Sequence, residues 1–375
     1  MTTDKGPLAG LRILDLTRVI MGPYATQLLA DQGADVIVVE APEGDVNRLG
    51  VGPHEQLSGI SLNVMRNKRS VVLDLKSGEG ANALRELAGT CDVVVATMRP
   101  QALARLGVDY ASLVKIRPDV IYCQGQGWPL TSQNADDPAY DEVIQAASGA
   151  SDLTTIMGGD PRMLPTILAD KVSSLYMAQA ITAAIYHRAR TGEGQHVELP
   201  MVTATSSFLL VEHGAGAISE PPADRPGYRR ILTPERRPHR TLDGWVHILP
   251  YQPKHYEALF IAAGRTDLVG DPRYADRRAT FTNSDSLYRD VRAIAAERTS
   301  DQITTLCRSH GIPVTKVATI GEILEELPLA EHPHGGTYRV LPHPAIFSRT
   351  PARLRKPAPM IGEHTEAVLA ELSNS

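Results

Sequence analysis

The amino-acid sequence predicts an α/β protein with a large domain built on a parallel sheet and a smaller α+β domain. In the first 200 residues, short apolar runs typical of buried strands alternate with helix-like segments. After about Met201 this alternation stops, and a stretch rich in proline and arginine follows. A chain of 375 residues is long enough for two domains. The larger domain is therefore expected to be Rossmann-like.

The first predicted elements form a βαβ unit. Residues 12–16 have the apolar character of a buried strand, Pro23 starts a helix that ends at Gly33, and residues 35–40 give a second strand. A crossover between parallel strands is expected to be right-handed. The same pattern predicts further strands over residues 70–75, 92–97 and 120–124 and helices over residues 78–88 and 102–106.

A long alanine-rich helix is predicted to begin at Asp170 and to end at Gly192. Arg188 and Arg190 place cations in its last turn, which suits the negative end of a helix dipole. Its apolar face is expected to comprise Val172, Leu175, Ala178, Ile181, Ala184 and Ile185. By local pattern alone, Asp170 is either an N-cap, which is a common role for aspartate, or a nucleophile.

The predicted domain boundaries follow the changes in composition. Residues 1–200 form the large α/β domain, 201–225 a linker, 226–330 the small α+β domain, and 331–375 a C-terminal segment that returns to the large domain. In the later part of the chain, strands are expected over residues 241–248 and 314–317, and helices over residues 255–263, 287–297, 300–310 and 365–372.

Composition argues against several classes of protein. The formal net charge of −5 is small and spread along the chain, so neither nucleic acid nor an anionic membrane is expected as a partner. No stretch resembles a secretory leader or approaches the roughly 18 apolar residues of a membrane span. Three widely spaced cysteines predict neither a disulfide framework nor a zinc site, and they fit a reducing cytoplasm. The histidines lack metal-ligand spacing, so no metal site is expected.

The loop after the first strand, residues 17–22, lies where open α/β sheets commonly bind ligands. The glycine fingerprint of nicotinamide-dependent oxidoreductases is absent there, and the chain has neither a P-loop nor a nucleophile-elbow motif. Lys68, Arg69 and Lys76 flank another predicted strand. They are interpreted either as solvated charges or as a basic rim for a phosphorylated ligand.

Short sequence blocks follow one another in a recognisable order along nearly the whole chain. They are LAGLRILDLT at residues 8–17, residues 22–23, LADQGADV at residues 29–36, residues 44–45 with Arg48, 67–70, 73–76, 105–107, 140–141 with 145–146, Asp170, 188–195 and 362–365. Each block is weak alone. Together they resemble the class III CoA-transferases, which include formyl-CoA and carnitine CoA-transferases and, as a divergent branch, the α-methylacyl-CoA racemases.

This resemblance implies that Asp170 is the family's catalytic aspartate. The implied reaction moves CoA from an acyl-CoA donor to a free carboxylic acid. Asp170 attacks the thioester carbonyl to form a mixed anhydride, the released CoA thiolate returns to give an aspartyl-CoA thioester, and the acceptor acid attacks in turn. The start of a helix is expected to keep the carboxylate ionised and to offer amide groups to an oxyanion.

The resemblance also implies which positions bind CoA. They are Val19, Ile20, Leu73, Lys76, Thr97, Met98, Arg99, Arg105, Tyr140 and Asp141. Formyl-CoA transferases carry glutamine at the position of Ile20 and arginine at that of Ala41, and they have a glycine-rich loop that this chain lacks. These departures argue against oxalate or formate as a substrate.

One position bears on the choice between transferase and racemase. The racemase branch has a histidine 30 residues before its aspartate, and Tyr140 occupies that place here. A tyrosine phenol, which normally ionises near pH ~10, is a poor base at neutral pH. Transfer is therefore favoured, and Tyr140 is expected to contact CoA. The alternatives that stay open are a 2-methylacyl-CoA racemase and a CoA-binding protein without catalysis.

The resemblance further implies an interlocked homodimer with active sites between its subunits. The expected partners are an acyl-CoA and a small carboxylic acid, with CoA as a substrate and no tightly bound cofactor. In place of the family's glycine-rich loop, residues 226–240 are rich in arginine, and they are interpreted either as partners for a dicarboxylate or as a solvated basic loop. The arginines concerned are Arg229, Arg230, Arg236, Arg237 and Arg240.

Overall fold

The computed structural model describes residues 5–373. Within it the chain divides into two compact units. The first unit comprises the chain up to Ser151, the segment Met163–Leu209 and the chain from Leu327 onward, and the second comprises Asp152–Arg162 and Leu210–Glu326. The second unit is therefore made from two insertions into the sequence of the first.

The first unit contains a six-stranded parallel sheet. Its strands are β1 (Arg12–Leu16), β2 (Asp35–Glu40), β3 (Lys68–Val72), β4 (Val93–Ala96), β5 (Ile121–Gln126) and β6 (Gln195–Pro200). They lie in the order β3-β2-β1-β4-β5-β6, and every neighbouring pair is parallel. This is the strand order of a doubly wound sheet, so the predicted α/β class is confirmed.

Helices connect these strands and make up much of the second unit. Within the described residues they are α1 (Met21–Asp31), α2 (Gly59–Val64), α3 (Gly78–Gly89), α4 (Pro100–Leu106), α5 (Tyr110–Leu113), α6 (Asp141–Ala147), α7 (Asp152–Ile156), α8 (Leu168–Thr191), α9 (Met201–His213), α10 (Pro253–Ala262), α11 (Arg277–Thr282), α12 (Ser284–Ala296), α13 (Ser300–Ser309), α14 (Ile320–Glu325) and α15 (Thr365–Ser373). Across residues 5–373, none is both long enough and apolar enough to cross a lipid bilayer.

The parallel sheet is buried on both faces, because successive side chains along a strand point to opposite sides. Ile13 and Val93 pack into one core, together with apolar side chains of α1 and α8. Leu14, Val94 and Tyr122 pack into the other, together with side chains of α3, α4 and α15. Burial on both faces accounts for the continuous apolar runs in the sequence of these strands.

The connections of the sheet change direction between β1 and β4. From β1 the chain proceeds outward to β2 and β3, and it then returns to β4 and proceeds outward through β5 and β6 on the other side. At such a switch point the loops after the two central strands diverge, which leaves a crevice at their carboxyl ends. Ligands of open α/β sheets commonly bind in that crevice.

The basic residues that flank β3 do not form an exposed rim. The ammonium group of Lys68 is fully buried and donates a hydrogen bond to Asp15 at 2.9 Å. The guanidinium group of Arg69 pairs with Glu371 of α15 at 2.6 Å. Lys68 and Arg69 are therefore neither solvated charges nor a rim for a phosphorylated ligand. Their charges are paired with carboxylates inside the unit. Lys76 is exposed.

The C-terminal part of the first unit packs onto the sheet. β10 (Leu329–His332) and β11 (Gly336–Arg339) form an antiparallel pair. Beyond them, the amide of His364 donates a hydrogen bond to the carbonyl of Ser70 at 2.9 Å. Val368 of α15 is fully buried in the core that also contains α3. The last helix therefore covers, with α3 and α4, one face of a sheet whose strands come from the first 200 residues.

The second unit contains a small antiparallel sheet and several helices. Its strands are β7 (His239–Arg240), β8 (Trp245–Ile248) and β9 (Val314–Lys316), with β8 in the middle. Val246 and Phe260 are buried in a core shared by this sheet and helices α10, α12 and α13. The α+β character predicted for the smaller part of the chain is therefore confirmed.

The domain boundaries predicted from the sequence stay a prediction, because compactness does not show which segments fold independently. Two observations bear on them. Residues 152–162 belong to the second unit, although they lie within the range predicted for the large domain. Helix α9 occupies the first part of the segment 201–225, which was expected to be a linker.

Candidate active site

A cavity of about 250 Å³ lies at the carboxyl edge of the parallel sheet. Its wall is made mainly by the segments that follow four strands, and it therefore occupies the switch point between β1 and β4. These segments contribute Arg18 and Val19 after β1, Thr97, Met98 and Arg99 after β4, Gly125, Gln126 and Gly127 at the end of β5, and Met201 after β6.

Asp170 lines this cavity from the first turn of α8. The helix begins at Leu168, with Ile167 in the N-cap position, so Asp170 is its third residue. The predicted N-cap role of Asp170 is therefore wrong. The residue is 7% exposed, which leaves its carboxylate largely out of contact with water. The far end of the helix is as predicted, since Gly192 ends it in the left-handed conformation with a φ of 80°.

Helix α6 holds the first turn of α8 in place. The carboxylate of Asp141 accepts a hydrogen bond from the backbone N–H of Asp170 at 3.1 Å, so the cap comes from another element. Gln145, one turn later on α6, donates to the same carboxylate at 2.6 Å and to the carbonyl of Thr166 at 3.0 Å. Asp141 and Gln145 thus fix the segment that leads into Asp170.

The environment of Asp170 disfavours its negative charge. Burial, together with the nearby carboxylates of Asp141 and Glu142, raises the pKa of Asp170 from 3.8 to about 7. The sequence led to the opposite expectation, that the start of a helix would keep the carboxylate ionised. That expectation is wrong because burial and two nearby anions disfavour the charge of Asp170, and one of those anions, Asp141, is the group that caps the helix.

The loop after β1 holds a valine in an unusual conformation. Val19 has a φ of 67°, a region that β-branched residues rarely adopt. Asp45 accepts a hydrogen bond from the N–H of Val19 at 3.3 Å, and the side-chain amide of Asn47 donates to its carbonyl at 3.3 Å. The carboxylate of Asp45 also lies 3.5 Å from Nε of Arg18. The loop that contains Asp45 and Asn47 thus fixes the conformation of Arg18 and Val19 in the cavity wall.

Close packing beside the same loop requires glycine at position 22. A Cβ added to Gly22 would lie 2.1 Å from Cβ of Thr17, which is far inside contact distance. Thr17 cannot move away easily, because its N–H and hydroxyl both donate to Asp15, at 3.0 and 2.5 Å. Helix α1 can therefore begin right beside the end of β1, which brings Met21 to the cavity wall.

The structure brings together only part of the site predicted from the sequence. Around the cavity lie Asp170, Val19, Thr97, Met98, Arg99 and Tyr140. Asp141 contacts Asp170 from behind the wall, and Ile20 is buried before α1. Leu73 follows β3 and is buried. Lys76, also after β3, and Arg105, in the last turn of α4, are both exposed. The assignment of all these residues to CoA stays a prediction.

The cavity wall also includes residues that the sequence did not identify. Among them are Met21, Gly125, Gln126 and Met201. Gly125 permits a close approach, since a Cβ there would lie 2.4 Å from Cε of Met177. The Gly-Gln-Gly sequence at residues 125–127 was an available signal, because glycine at the end of a strand often marks a close contact with the backbone.

The chemistry available at this cavity centres on Asp170. Its pKa of about 7 means that acid and carboxylate forms are both populated near neutral pH. The three cysteines are buried free thiols, and burial raises the pKa of Cys91 and of Cys123 to about 12, which makes them poor nucleophiles. Within residues 5–373, no cluster of three or more His, Cys, Asp or Glu side chains is placed to hold a metal ion.

Comparison with known proteins places the whole chain in one family. The family model of CoA-transferase family III matches residues 8–365. The chain is 33% identical to a succinate–glutarate CoA-transferase of Agrobacterium fabrum, over 99% of this chain and 97% of the relative. It is 30% identical to a probable fatty acyl-CoA transferase of Mycobacterium tuberculosis, over 97% of this chain and 98% of the relative.

A solved structure agrees with this match. A CAIB/BAIF family protein from Brucella suis superposes with a TM-score of 0.83 at 29% identity, over 98% of this chain and 100% of that one. The resemblance noted in the sequence is thus confirmed over nearly the full length. This protein belongs to CoA-transferase family III and is an enzyme of that class.

Proposed function

We propose that this enzyme moves CoA from an acyl-CoA donor to a small carboxylic acid, with Asp170 as the covalent nucleophile. The observation that supports this most directly is the buried carboxylate of Asp170 on the wall of the switch-point cavity. Burial removes the water that would otherwise hydrate a carboxylate and weaken it as a nucleophile.

The proposed reaction passes through two kinds of covalent intermediate. A carboxylate oxygen of Asp170 attacks the carbonyl carbon of the donor thioester, and the C–S bond breaks to give CoA thiolate and a mixed anhydride. The thiolate then attacks the carbonyl carbon of Asp170, which expels the donor's carboxylate and leaves an aspartyl-CoA thioester. The acceptor carboxylate reverses these two steps, so that CoA leaves on the acceptor and Asp170 is regenerated.

The electrostatics of the cavity favour acylation of Asp170. Each covalent form of the side chain is uncharged, so it escapes the burial and the repulsion from Asp141 and Glu142 that raise the pKa of the free carboxylate to about 7. Formation of the first bond therefore relieves an unfavourable charge. Because only the carboxylate attacks, the transfer rate is expected to increase as the pH rises through about 7.

We further propose that CoA binds along the loops at this edge of the sheet. The candidates on the cavity wall are Val19, Thr97, Met98, Arg99 and Tyr140. A cavity of about 250 Å³ is smaller than the usual site for a drug-sized ligand, so it encloses the reacting end of an acyl-CoA and leaves the nucleotide end outside. The candidates away from the cavity are Ile20, Leu73, Lys76, Arg105 and Asp141. Lys76 and Arg105 are exposed cations, which suit the phosphate groups of CoA.

Succinate and glutarate are the acids to test first, because both appear in the name of the Agrobacterium relative. Mesaconate is a third candidate, since a succinyl-CoA:mesaconate CoA-transferase of Haloarcula hispanica is 33% identical over 86% of this chain and 83% of its own length. The departures at Ile20 and Ala41 from the formyl-CoA transferase pattern argue against formate. Oxalate is a further acid to test, because an acetyl-CoA:oxalate CoA-transferase of Acetobacter aceti is 32% identical over 85% of this chain and 82% of its own length.

The covalent intermediate can be tested by intact-protein mass spectrometry with hydroxylamine trapping. The wild type is incubated with succinyl-CoA, glutaryl-CoA and a medium-chain acyl-CoA, and the modified residue is located by peptide mapping. We expect a CoA-sized adduct, or a hydroxamate after trapping, on Asp170. Asp170→Asn should show neither. Asp137→Asn is a matched control, because Asp137 is an exposed aspartate on the same cavity wall, and it should keep the adduct.

The outcome also separates transfer from the alternatives. An adduct on another residue, or one that persists in Asp170→Asn, would contradict the assignment of the nucleophile. If no donor gave an adduct and the α-proton of a 2-methylacyl-CoA exchanged in deuterated water, the enzyme would be a racemase. Binding of CoA with neither reaction would indicate a binding role.

We also propose that two copies of the chain associate, as the family resemblance implies. In support, Leu175 and Tyr186 of α8 are 54% and 65% exposed beside an apolar groove of about 580 Å³, and a second copy would cover them. Light scattering after gel filtration should give about twice the chain mass of 40.6 kDa. A mass of one chain at micromolar concentration would contradict the dimer.

A cytoplasmic location is the last part of the proposal. All three cysteines are free and buried, which fits a reducing compartment. Cell fractionation of the source organism would test it, and recovery of the protein outside the cytoplasmic fraction would contradict it.

A further inference from the structure

The second unit contains a small cavity rich in arginine, which we call the arginine cavity. It has a volume of about 380 Å³, and its lining residues are Arg230, Tyr251, Arg277, Arg278, Thr280 and Phe281. A larger cavity of about 670 Å³ adjoins it and shares Arg230 and Phe281. The described residues that line the arginine cavity include no carboxylate, so its three guanidinium groups give it a positive potential, although Asp224 and Asp285 line the adjoining cavity.

Arg230 is held in position by aromatic neighbours. Its guanidinium carbon lies over the ring of Tyr251, 5.0 Å from the ring centroid, and its Nε donates a hydrogen bond to the hydroxyl of Tyr288 at 3.3 Å. These contacts restrain the side chain without neutralising it, because neither partner is an anion. A guanidinium group fixed in this way loses little conformational freedom when a ligand binds.

The three arginines of this cavity differ from Arg265 and Arg273 of the same unit in forming no ion pair with a carboxylate within the described residues. Among residues 5–373, none of Arg230, Arg277 and Arg278 forms an ion pair with a carboxylate, although Arg265 and Arg273 each pair with a nearby aspartate at 2.7 Å. Like charges that share one cavity repel each other. An anion that entered the cavity would remove this repulsion and gain several charge-assisted hydrogen bonds.

We propose that the arginine cavity binds a small organic dianion whose charged groups are carboxylates or phosphates. The planar guanidinium groups match both kinds of group through paired N–H donors. The rings of Tyr251 and Phe281 offer apolar surface to the carbon skeleton between the charges. This site belongs to the second unit and does not depend on the transfer reaction proposed for Asp170.

Isothermal titration calorimetry tests the proposal with the full-length Asp170→Asn protein, which removes the carboxylate proposed to be acylated. Glutarate and glycerol 3-phosphate are titrated separately at constant ionic strength, in a buffer without phosphate. We expect saturable binding of at least one of them at one site per chain that depends on these arginines, in addition to any binding of glutarate at the switch-point cavity. The double variant Arg277→Gln/Arg278→Gln should weaken that binding at least tenfold, because it removes two of the three cations.

Arg240→Gln is the matched control. Arg240 is also an exposed arginine of this unit that lies over an aromatic ring, 5.5 Å from the centroid of Trp245, but it is outside the cavity. It should change the dissociation constant less than twofold. Tighter binding of glutarate would identify carboxylates as the preferred groups, and tighter binding of glycerol 3-phosphate would identify phosphate.

Three results would overturn the proposal: no saturable binding of either compound, binding that the double variant leaves intact, or an equal loss in Arg240→Gln. The first two would show that the cavity holds no such ligand, and the third would show a general effect of charge. None of these results bears on the acylation of Asp170, because the experiment measures binding without turnover.

Discussion

Replacing Asp170 by asparagine removes a buried charge and keeps the size of the side chain, so the variant should be more stable than the wild type at neutral and higher pH. In the folded wild type, burial and the carboxylates of Asp141 and Glu142 raise the pKa of Asp170 from 3.8 to about 7. In the unfolded chain the side chain is hydrated and ionises near 3.8. Between these two values unfolding releases a proton, so the wild type loses stability as the pH rises.

The magnitude follows from the two pKa values. A tenfold change in an ionisation constant corresponds to about 1.4 kcal/mol. A rise from 3.8 to about 7 therefore means that ionised Asp170 destabilises the folded protein by about 4 kcal/mol once the pH exceeds 7. Below about pH 3 the side chain is protonated in both states, and the effect disappears. Asp170→Asn should thus gain about 4 kcal/mol at about pH 8 and almost nothing at about pH 3.

Urea unfolding followed by circular dichroism measures this difference. Both proteins are unfolded at several pH values across that range and at one fixed protein concentration, because the apparent stability of a protein that associates depends on its concentration. Asp137→Asn serves as the control, since it removes an exposed charge from the same cavity wall and should show no such trend. A stability difference that stayed constant with pH, or that appeared equally in the control, would refute the reasoning.

Further substitutions test other parts of the structure. Glu142→Gln removes one anion near Asp170, so the midpoint of the pH profile of kcat/KM should move to lower pH, and an unchanged midpoint would contradict the repulsion. Val19→Gly removes the strain of a φ of 67° but adds freedom to the unfolded chain, so the free energy of unfolding should stay level or rise by about 1 kcal/mol. A clear loss would show that Val19 is not strained. Lys68→Met leaves Asp15 buried without its cation and should cost about 3–5 kcal/mol in urea unfolding. Lys76→Met, at an exposed site, should change the free energy of unfolding by less than about 0.5 kcal/mol. Equal losses in Lys68→Met and Lys76→Met would contradict the role given to the burial of Lys68.

The central strands of the sheet were predictable because their apolar runs reflect burial on both faces. The predicted ranges 12–16 and 35–40 coincide with β1 and β2. The strand predicted over residues 70–75 is displaced from β3, since a lysine buried by an ion pair looks in sequence like an exposed flank. β6 was not predicted, because it pairs only with β5 at the edge of the sheet and most of its side chains are only partly buried.

The candidate site was only partly predictable, for a different reason. Asp170 was selected by the family resemblance, since its local pattern equally allowed a cap. The rise of its pKa depends on burial and on Asp141, which lies 29 residues earlier on another helix. The conformation of Val19 likewise depends on Asp45 and Asn47 from a separate loop. Local sequence patterns cannot predict such contacts, because they join residues that are far apart in the chain and meet only in the folded protein.

The position of α15 joins the first segment of the described chain to the last. Arg12 on the first strand donates to Glu371 on the last helix at 2.6 Å, and Val368 fills the core beside that sheet. During synthesis, the ribosome releases β1 long before it makes either of these partners. The part of the apolar face that α15 covers, beside α3 and α4, is therefore completed only after the second unit has been synthesised.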